Sequence, residues 1–178
     1  KEMINEYQLG IYSVAVRYIE IYHFIPKIII VSFLPILLLS KKYHVKILSL
    51  NRLINKISFI LILFIFITSD YVIPIIFTDI YKDSIIVIKI LSLSIFFVFI
   101  GVVNEHWYIN KNLQKYYALN VTLGAILNII LNYILISLFG LNGAAYATIF
   151  TYILIIFIFD YFNKNTREIL KIKISSIF

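Results

Sequence analysis

The sequence predicts an all-α integral membrane protein with five transmembrane helices. Of its 178 residues, 62% are hydrophobic and 14% are charged, and the mean hydropathy is +0.96. A soluble domain averages about half apolar and a quarter charged residues. The apolar runs are continuous over about 20 residues, which is the length of one helical crossing, instead of alternating as in a transmembrane β-barrel. The sequence therefore belongs to the class of helical membrane proteins.

The chain divides into five apolar segments, each long enough to cross a membrane once. They cover approximately residues 12–40, 56–77, 84–106, 117–139 and 143–161. No linker rich in Gly, Pro or Ser divides them, so we expect one bundle over residues 1–161 and a basic tail at 162–178. For the connection at 41–55, a solvated basic loop is favoured over an amphipathic helix lying in the membrane interface, and the tail reads as lying on the surface.

Lys and Arg are distributed asymmetrically among the connections. The connections at 41–56 and 107–116 and the tail carry most of these basic residues, whereas the connections at 78–83 and 140–142 have no basic excess. Basic loops of membrane proteins remain on the cytoplasmic side. We therefore expect a cytoplasmic C-terminus and a first helix that begins outside, and we attribute the net charge of +7 to these loops and not to nucleic-acid binding.

Several kinds of chemistry are excluded or unsupported. The chain has no cysteine, which excludes disulfides, thiolate metal sites and cysteine nucleophiles. Paired carboxylates, a Ser-His-Asp arrangement, a Gly-rich phosphate loop and metal-ligand spacing are all missing from the sequence. We expect neither an enzyme nor a cofactor or metal site.

The first segment carries a charged stripe. At about 100° per residue, five polar side chains fall within roughly 60° of one line on the helix. These residues, here called the stripe, are Ser13, Arg17, Glu20, His23 and Lys27. An intramembrane charge costs about 3 kcal/mol on insertion scales, so the stripe must face protein or water. Pro26 and Pro35 also permit this helix to kink.

Two interpretations of the stripe remain open. Glu20 can form a buried ion pair with Arg17 or Lys27, and the long basic side chains can extend to the headgroups. Alternatively, Arg17, Glu20 and Lys27 line a cavity for an anionic substrate, where a guanidinium suits phosphate. Glu20 and Asp70 are weak candidates for ion coupling, although an interfacial aspartate is the favoured interpretation of Asp70.

Two further polar groups have mainly structural interpretations. Residues 104–107, Asn-Glu-His-Trp, read as an interfacial cluster in preference to a metal or proton-relay site. In the fourth segment, small and amide side chains recur every four residues, which allows membrane helices to approach and hydrogen-bond. They are Asn120, Gly124, Asn128 and Asn132. Asn128 and Asn132 are also candidate contacts to sugar hydroxyls.

Three blocks of the sequence resemble one transporter family. LGIYSVAVRYIEIYHFIP, PIIFTDIYKDS and NIILNYILISLFGLNGAAYATIFTY are similar, in order and spacing, to segments of the polysaccharide and O-antigen flippases. These belong to the multidrug/oligosaccharidyl-lipid/polysaccharide exporter superfamily. Thr78 replaces a usual Gly and Ser137 a usual Pro, and both stand at helix ends.

The resemblance implies a C-terminal fragment, helices eight to twelve, of a twelve-helix, two-lobe transporter in the bacterial inner membrane. It implies flipping of undecaprenyl-diphosphate-linked oligosaccharides by alternating access. Arg17 would bind the diphosphate. The expected partners are this lipid-linked substrate, membrane lipids, the missing N-terminal lobe and polysaccharide polymerase machinery. A drug or cation antiporter of the same superfamily and a membrane glycan polymerase or ligase are the alternatives.

Overall fold

A computed structural model describes residues 5–177, except for the side chain of Leu38. This part of the chain is helical and contains no strand. It contains five helices long and apolar enough to cross a membrane, which confirms a helical membrane protein. The five spans are Glu6–Leu37, Tyr43–Phe77, Ser84–Asn110, Gln114–Phe139 and Leu141–Phe162.

Within residues 5–177, nine α-helices build these spans and the tail. They are α1 (Glu6–Glu20), α2 (Phe24–Leu38), α3 (Tyr43–Phe77), α4 (Ser84–Ser92), α5 (Ser94–Asn110), α6 (Gln114–Phe139), α7 (Leu141–Ile153), α8 (Phe159–Phe162) and α9 (Arg167–Ile177). A 3₁₀ turn joins α1 to α2, and a π-helical segment, Leu154–Ile158, joins α7 to α8. We call the end that carries α9 and the connections at 39–42 and 111–113 the basic end.

The first span begins with a cap and is interrupted near its middle. The side chain of Asn5 accepts a hydrogen bond from the Gln8 N–H at 2.8 Å, and the Gln8 side chain accepts one from the Asn5 N–H in return. The 3₁₀ turn covers Ile21–His23. It stands just before Pro26, whose missing N–H leaves a carbonyl of the preceding turn without its helical partner. Pro35, in contrast, lies inside α2 without ending it.

The third span forms the centre of the bundle. Its buried side chains recur at helical spacing from one end to the other, and they contact the first, second and fifth spans. The fully or almost fully buried apolar members are Val87, Ile88, Leu91, Ile95, Phe99, Ile100, Val103, Trp107 and Tyr108. The fourth span is peripheral and packs mainly against α7.

The predicted basic loop at 41–55 was wrong, because α3 begins at Tyr43 and continues without a break into the second span. One face of this extension is apolar enough to pack, with Ile47, Leu50 and Ile54 all buried. The tail helix α9 lies against it. The side chain of Asn55 donates hydrogen bonds to the Ser176 carbonyl at 3.1 Å and to its hydroxyl at 3.0 Å.

Helices α6 and α7 meet through small residues, as the sequence predicts. Gly140 has a positive φ of 57°, which glycine adopts without strain, and the chain reverses there. A Cβ added at Gly143 would lie 2.0 Å from the backbone oxygen of Leu135. Only glycine therefore permits this approach of the two helices.

Gly143→Ala should destabilise the protein by about 1–3 kcal/mol, because the clash is with backbone and no side-chain rotation relieves it. Gly101→Ala is the matched control, since a Cβ at Gly101 meets nothing within 4 Å. Thermal unfolding of both variants in detergent measures the difference. An unfolding temperature of Gly143→Ala equal to that of Gly101→Ala would contradict the packing.

Candidate substrate-binding site

The stripe lies on the outer surface of the bundle. Arg17, Glu20 and Lys27 are exposed, while the opposite face of α1, including Ile11 and Tyr18, is buried against the other spans. None of the ion pairs formed within residues 5–177 includes a stripe residue. The structure thus brings Glu20 to neither of its predicted partners. Lys27 Nζ instead lies 5.7 Å from the centroid of the Phe24 ring.

One edge of the stripe borders a small polar groove between α1, α5 and α7. Glu20 and His23 line it from the first span, and Ser94, Thr148 and Tyr152 line it from the others. His23 Nε2 is buried and has no hydrogen-bond partner within residues 5–177. The 3₁₀ turn that ends α1 places His23 at this position.

A larger cavity of about 480 Å³ lies between α5, α6 and α7. We call it the polar cavity. It shares Thr148 and Tyr152 with the groove beside the stripe, so the two are neighbours. Its walls are largely apolar and aromatic, and its polar lining residues are Asn104, Glu105, Tyr108, Tyr117, Asn120, Asn128, Thr148, Thr151, Tyr152 and Lys173.

Two amides in this cavity have unused hydrogen-bonding capacity. Asn104 is 2% exposed, and neither atom of its side-chain amide has a partner within residues 5–177. Asn120 donates to the Ile155 carbonyl at 2.9 Å, but its Oδ1 is buried without a donor in the same part of the chain. Of residues 104–107, which the sequence predicts to be interfacial, Asn104 and Trp107 are buried within the protein, and the interfacial position of the group stays a prediction.

Of the two remaining amides of α6, Asn128 bonds to another helix and Asn132 bonds within α6. Asn128 donates to the Thr151 hydroxyl at 3.2 Å, and a Cβ at Gly124 would meet the Ile155 side chain at 3.0 Å. Asn132 donates to Asn128 Oδ1 at 2.8 Å. Asn128 lines the polar cavity and Asn132 does not. The predicted helix–helix contact is confirmed, and only one of the two candidate sugar contacts reaches the cavity.

The tail closes the cavity at the basic end with a buried ion pair. Lys173 Nζ lies 2.6 Å from Asp160 Oδ2 and donates to the Ile156 carbonyl at 2.8 Å. The Tyr108 hydroxyl donates to the other oxygen of Asp160. Lys173 is only 2% exposed and Asp160 is fully buried. Burial lowers the pKa of Lys173, and the carboxylate of Asp160 opposes that shift.

Sequence reasoning missed this pair because Lys173 resembles the other tail cations. A usable signal was present in Asp160, a lone carboxylate at the end of an apolar segment, which needs a cation nearby. The π-helical segment contributes as well, because the carbonyls of Ile155 and Ile156 lie in it and accept bonds from Asn120 and Lys173. Such π-bulges often occur at functional sites.

Asp70 is engaged elsewhere. Both of its carboxylate oxygens accept hydrogen bonds from Lys89 Nζ, at 2.9 and 2.6 Å, between α3 and α4. Asp70 remains half exposed and lies outside the groove and the cavity. This pairing gives Asp70 a structural partner, and its role in ion coupling stays a prediction.

Within residues 5–177, no three His, Asp or Glu side chains are grouped as a metal site. The candidate site consists of the exposed stripe, the groove at its edge and the polar cavity beyond it. Comparison of the chain with protein-family models, curated proteins and solved structures found no match.

Lys173→Met should destabilise the protein by about 3–5 kcal/mol, because it leaves the Asp160 carboxylate buried without its cation. Asp160→Asn combined with Lys173→Met should recover most of that loss. Lys171→Met, at an exposed position of the same helix, is the control. Thermal and denaturant unfolding in detergent measure these values. Stability of Lys173→Met within about 0.5 kcal/mol of the control would contradict the role of the pair.

Proposed function

We propose that this chain is the C-terminal part of a transporter that flips lipid-linked oligosaccharides across the bacterial inner membrane. The observation that carries the proposal is the exposed stripe. Arg17 and Lys27 stand on a membrane-spanning helix, and within residues 5–177 neither has an anionic partner. Cations in such a helix need a partner, and a diphosphate is one that a guanidinium binds with two hydrogen bonds.

The stripe needs an opposite wall. In the proposed twelve-helix transporter, the N-terminal lobe supplies that wall, and the stripe then faces a central aqueous cavity instead of lipid. The resemblance of the three sequence blocks to the flippases supports this arrangement. We place the tail in the cytoplasm because the basic end collects the Lys- and Arg-rich connections.

Interrupted helices support a protein that changes conformation. The first span breaks at Ile21–His23, the third at Leu93, and the fifth at the π-helical segment. Breaks of this kind occur where membrane helices hinge or bind ligands. We infer that an ion gradient drives the motion, since the sequence contains no nucleotide-binding motif.

A cation antiporter of the same superfamily is the second candidate, and Glu20 favours it. Its carboxylate lies at the groove with no cationic partner within residues 5–177, so it is free to bind a cation. A glycan polymerase or ligase is less well supported. Such enzymes are expected to carry a large outer loop with arginines, and the connections opposite the basic end are short.

Arg17→Ala in the complete transporter should reduce surface glycan at least tenfold, with normal amounts of protein in the membrane, because the diphosphate loses its bidentate partner. Lys115→Ala, which removes an exposed cation outside the stripe, is the control. Surface glycan is measured by immunoblotting of intact cells. An amount of surface glycan in Arg17→Ala equal to that of the wild type would exclude the proposed role of Arg17. Loss of transport activity in Glu20→Gln but not in Arg17→Ala would favour the antiporter.

A single cysteine at position 46 should be protected from an impermeant maleimide in intact cells, and a single cysteine at position 82 should react. The chain has no native cysteine, and Lys46 and Lys82 are both exposed. They lie at opposite ends of α3 and its following turn. Labelling of Lys46→Cys with protection of Lys82→Cys would reverse the proposed orientation.

A further inference from the structure

We propose that the polar cavity is a binding site for a neutral, hydroxyl-rich group, the sugar part of a ligand. The cavity is lined by residues between Phe97 and Lys173, so every group that forms it belongs to this chain. The inference deepens the function proposed above and rests on that function only for the identity of the natural ligand.

Hydrogen bonding is the first argument. The Asn104 amide offers one donor group and one acceptor atom, and Asn120 Oδ1 offers a second acceptor, all buried and all without a partner in the described chain. A buried polar group without a hydrogen bond costs about 1–3 kcal/mol. A ligand in the cavity that donates and accepts removes this cost once the two amide side chains turn toward it. A hydroxyl does both, and so does the acetamido group of an amino sugar.

Charge is the second argument. Among the described lining residues, Lys173 is the only cation, and its ammonium group already contacts Asp160 and the Ile156 carbonyl. Glu105 adds a carboxylate to the lining. A phosphate would therefore find no free cation in the cavity and would face a negative side chain. The ligand group that enters is neutral, and the cationic stripe is the place for a charged one.

Shape is the third argument. Ligand cavities of about 300–1,000 Å³ are typical for small molecules, and this cavity, at about 480 Å³, is within that range. Phe97, Tyr117 and Tyr152 supply aromatic surface. A sugar ring has an apolar C–H face that packs on such surface, while its hydroxyl edge turns to the amides. The cavity offers both surfaces.

The experiment uses Trp107 as a reporter in the 178-residue chain, reconstituted in nanodiscs. It is the only tryptophan, is fully buried and follows Asn104 by one turn of helix. Its ring centroid lies 5.4 Å from that of Tyr108, which lines the cavity. Titration with glucose and with N-acetylglucosamine should change its fluorescence saturably. Glucose 1-phosphate and inorganic diphosphate should produce at least a tenfold weaker response.

Two variants test the cavity in different ways. Asn104→Leu keeps the approximate side-chain shape and removes the amide that would hydrogen-bond the sugar, and Gly101→Leu fills the cavity at a position with open space. Each should raise the apparent Kd for the sugar at least tenfold. Asn51→Leu is the matched control, because Asn51 is equally buried, has an unpartnered Oδ1 and lies outside the cavity on α3.

The outcomes separate this inference from the proposed function. Arg17→Ala should keep full sugar binding, since Arg17 does not line the cavity. Transport that survives in Arg17→Ala would overturn the flippase proposal alone. The cavity proposal is overturned if no sugar response saturates below about 50 mM, if inorganic diphosphate binds as tightly as glucose, or if Asn104→Leu and Gly101→Leu bind sugar like Asn51→Leu.

Discussion

The arrangement of this bundle depends on the need to provide buried polar groups with partners. In the apolar interior of a membrane protein there is little water to hydrogen-bond an amide or solvate a charge, so partners come from the protein or from a ligand. Two places show how the chain meets this need. The amides of α6 bond to α7 and the π-helical segment, and Lys173 from the tail meets Asp160.

The same need identifies the places where the bundle is incomplete. Within residues 5–177, the Asn104 amide and His23 Nε2 are buried without a hydrogen-bond partner. Arg17 and Lys27 are exposed on a span long enough to cross a membrane. These groups lie on neighbouring surfaces, joined through Thr148 and Tyr152. Buried atoms without a partner also occur on α3, in Asn51, Asn55 and Ser69, so the open space beside Asn104 and His23 is what marks the candidate region.

The structural features that could be predicted from the sequence are those that depend on local patterns. Five spans follow from apolar length, and the α6–α7 contact follows from amides and small residues at a spacing of four, because both features are read within one helix. The break near Pro26 follows from a missing N–H. Each of these features has its cause within a few residues of where it appears.

The missed features need partners that are distant in sequence. Residues 41–55 read as a basic loop because they carry Lys41, Lys42, Lys46 and Arg52, but the apolar face of 43–55 is buried by α9, more than a hundred residues later. Lys173 was interpreted as a surface charge of the tail. In the folded chain it lies beside Asp160 and Tyr108. The burial of Asn104 was missed for the same reason, because Asn104 lines a cavity together with residues of other helices, α6 and α7.

The division between stripe and cavity fits a ligand with two chemically different parts. A site that bound a charged group and a neutral sugar in one pocket would have to solvate the charge while excluding water from the amides. Here the cations stay on an exposed helix face, where another part of a transporter or water can reach them. The amides lie in the polar cavity, whose walls are largely apolar, and hydrogen bonds are stronger in such surroundings. Separation allows each surface to have the dielectric environment its chemistry requires, and the broken first span lies at the boundary between the two.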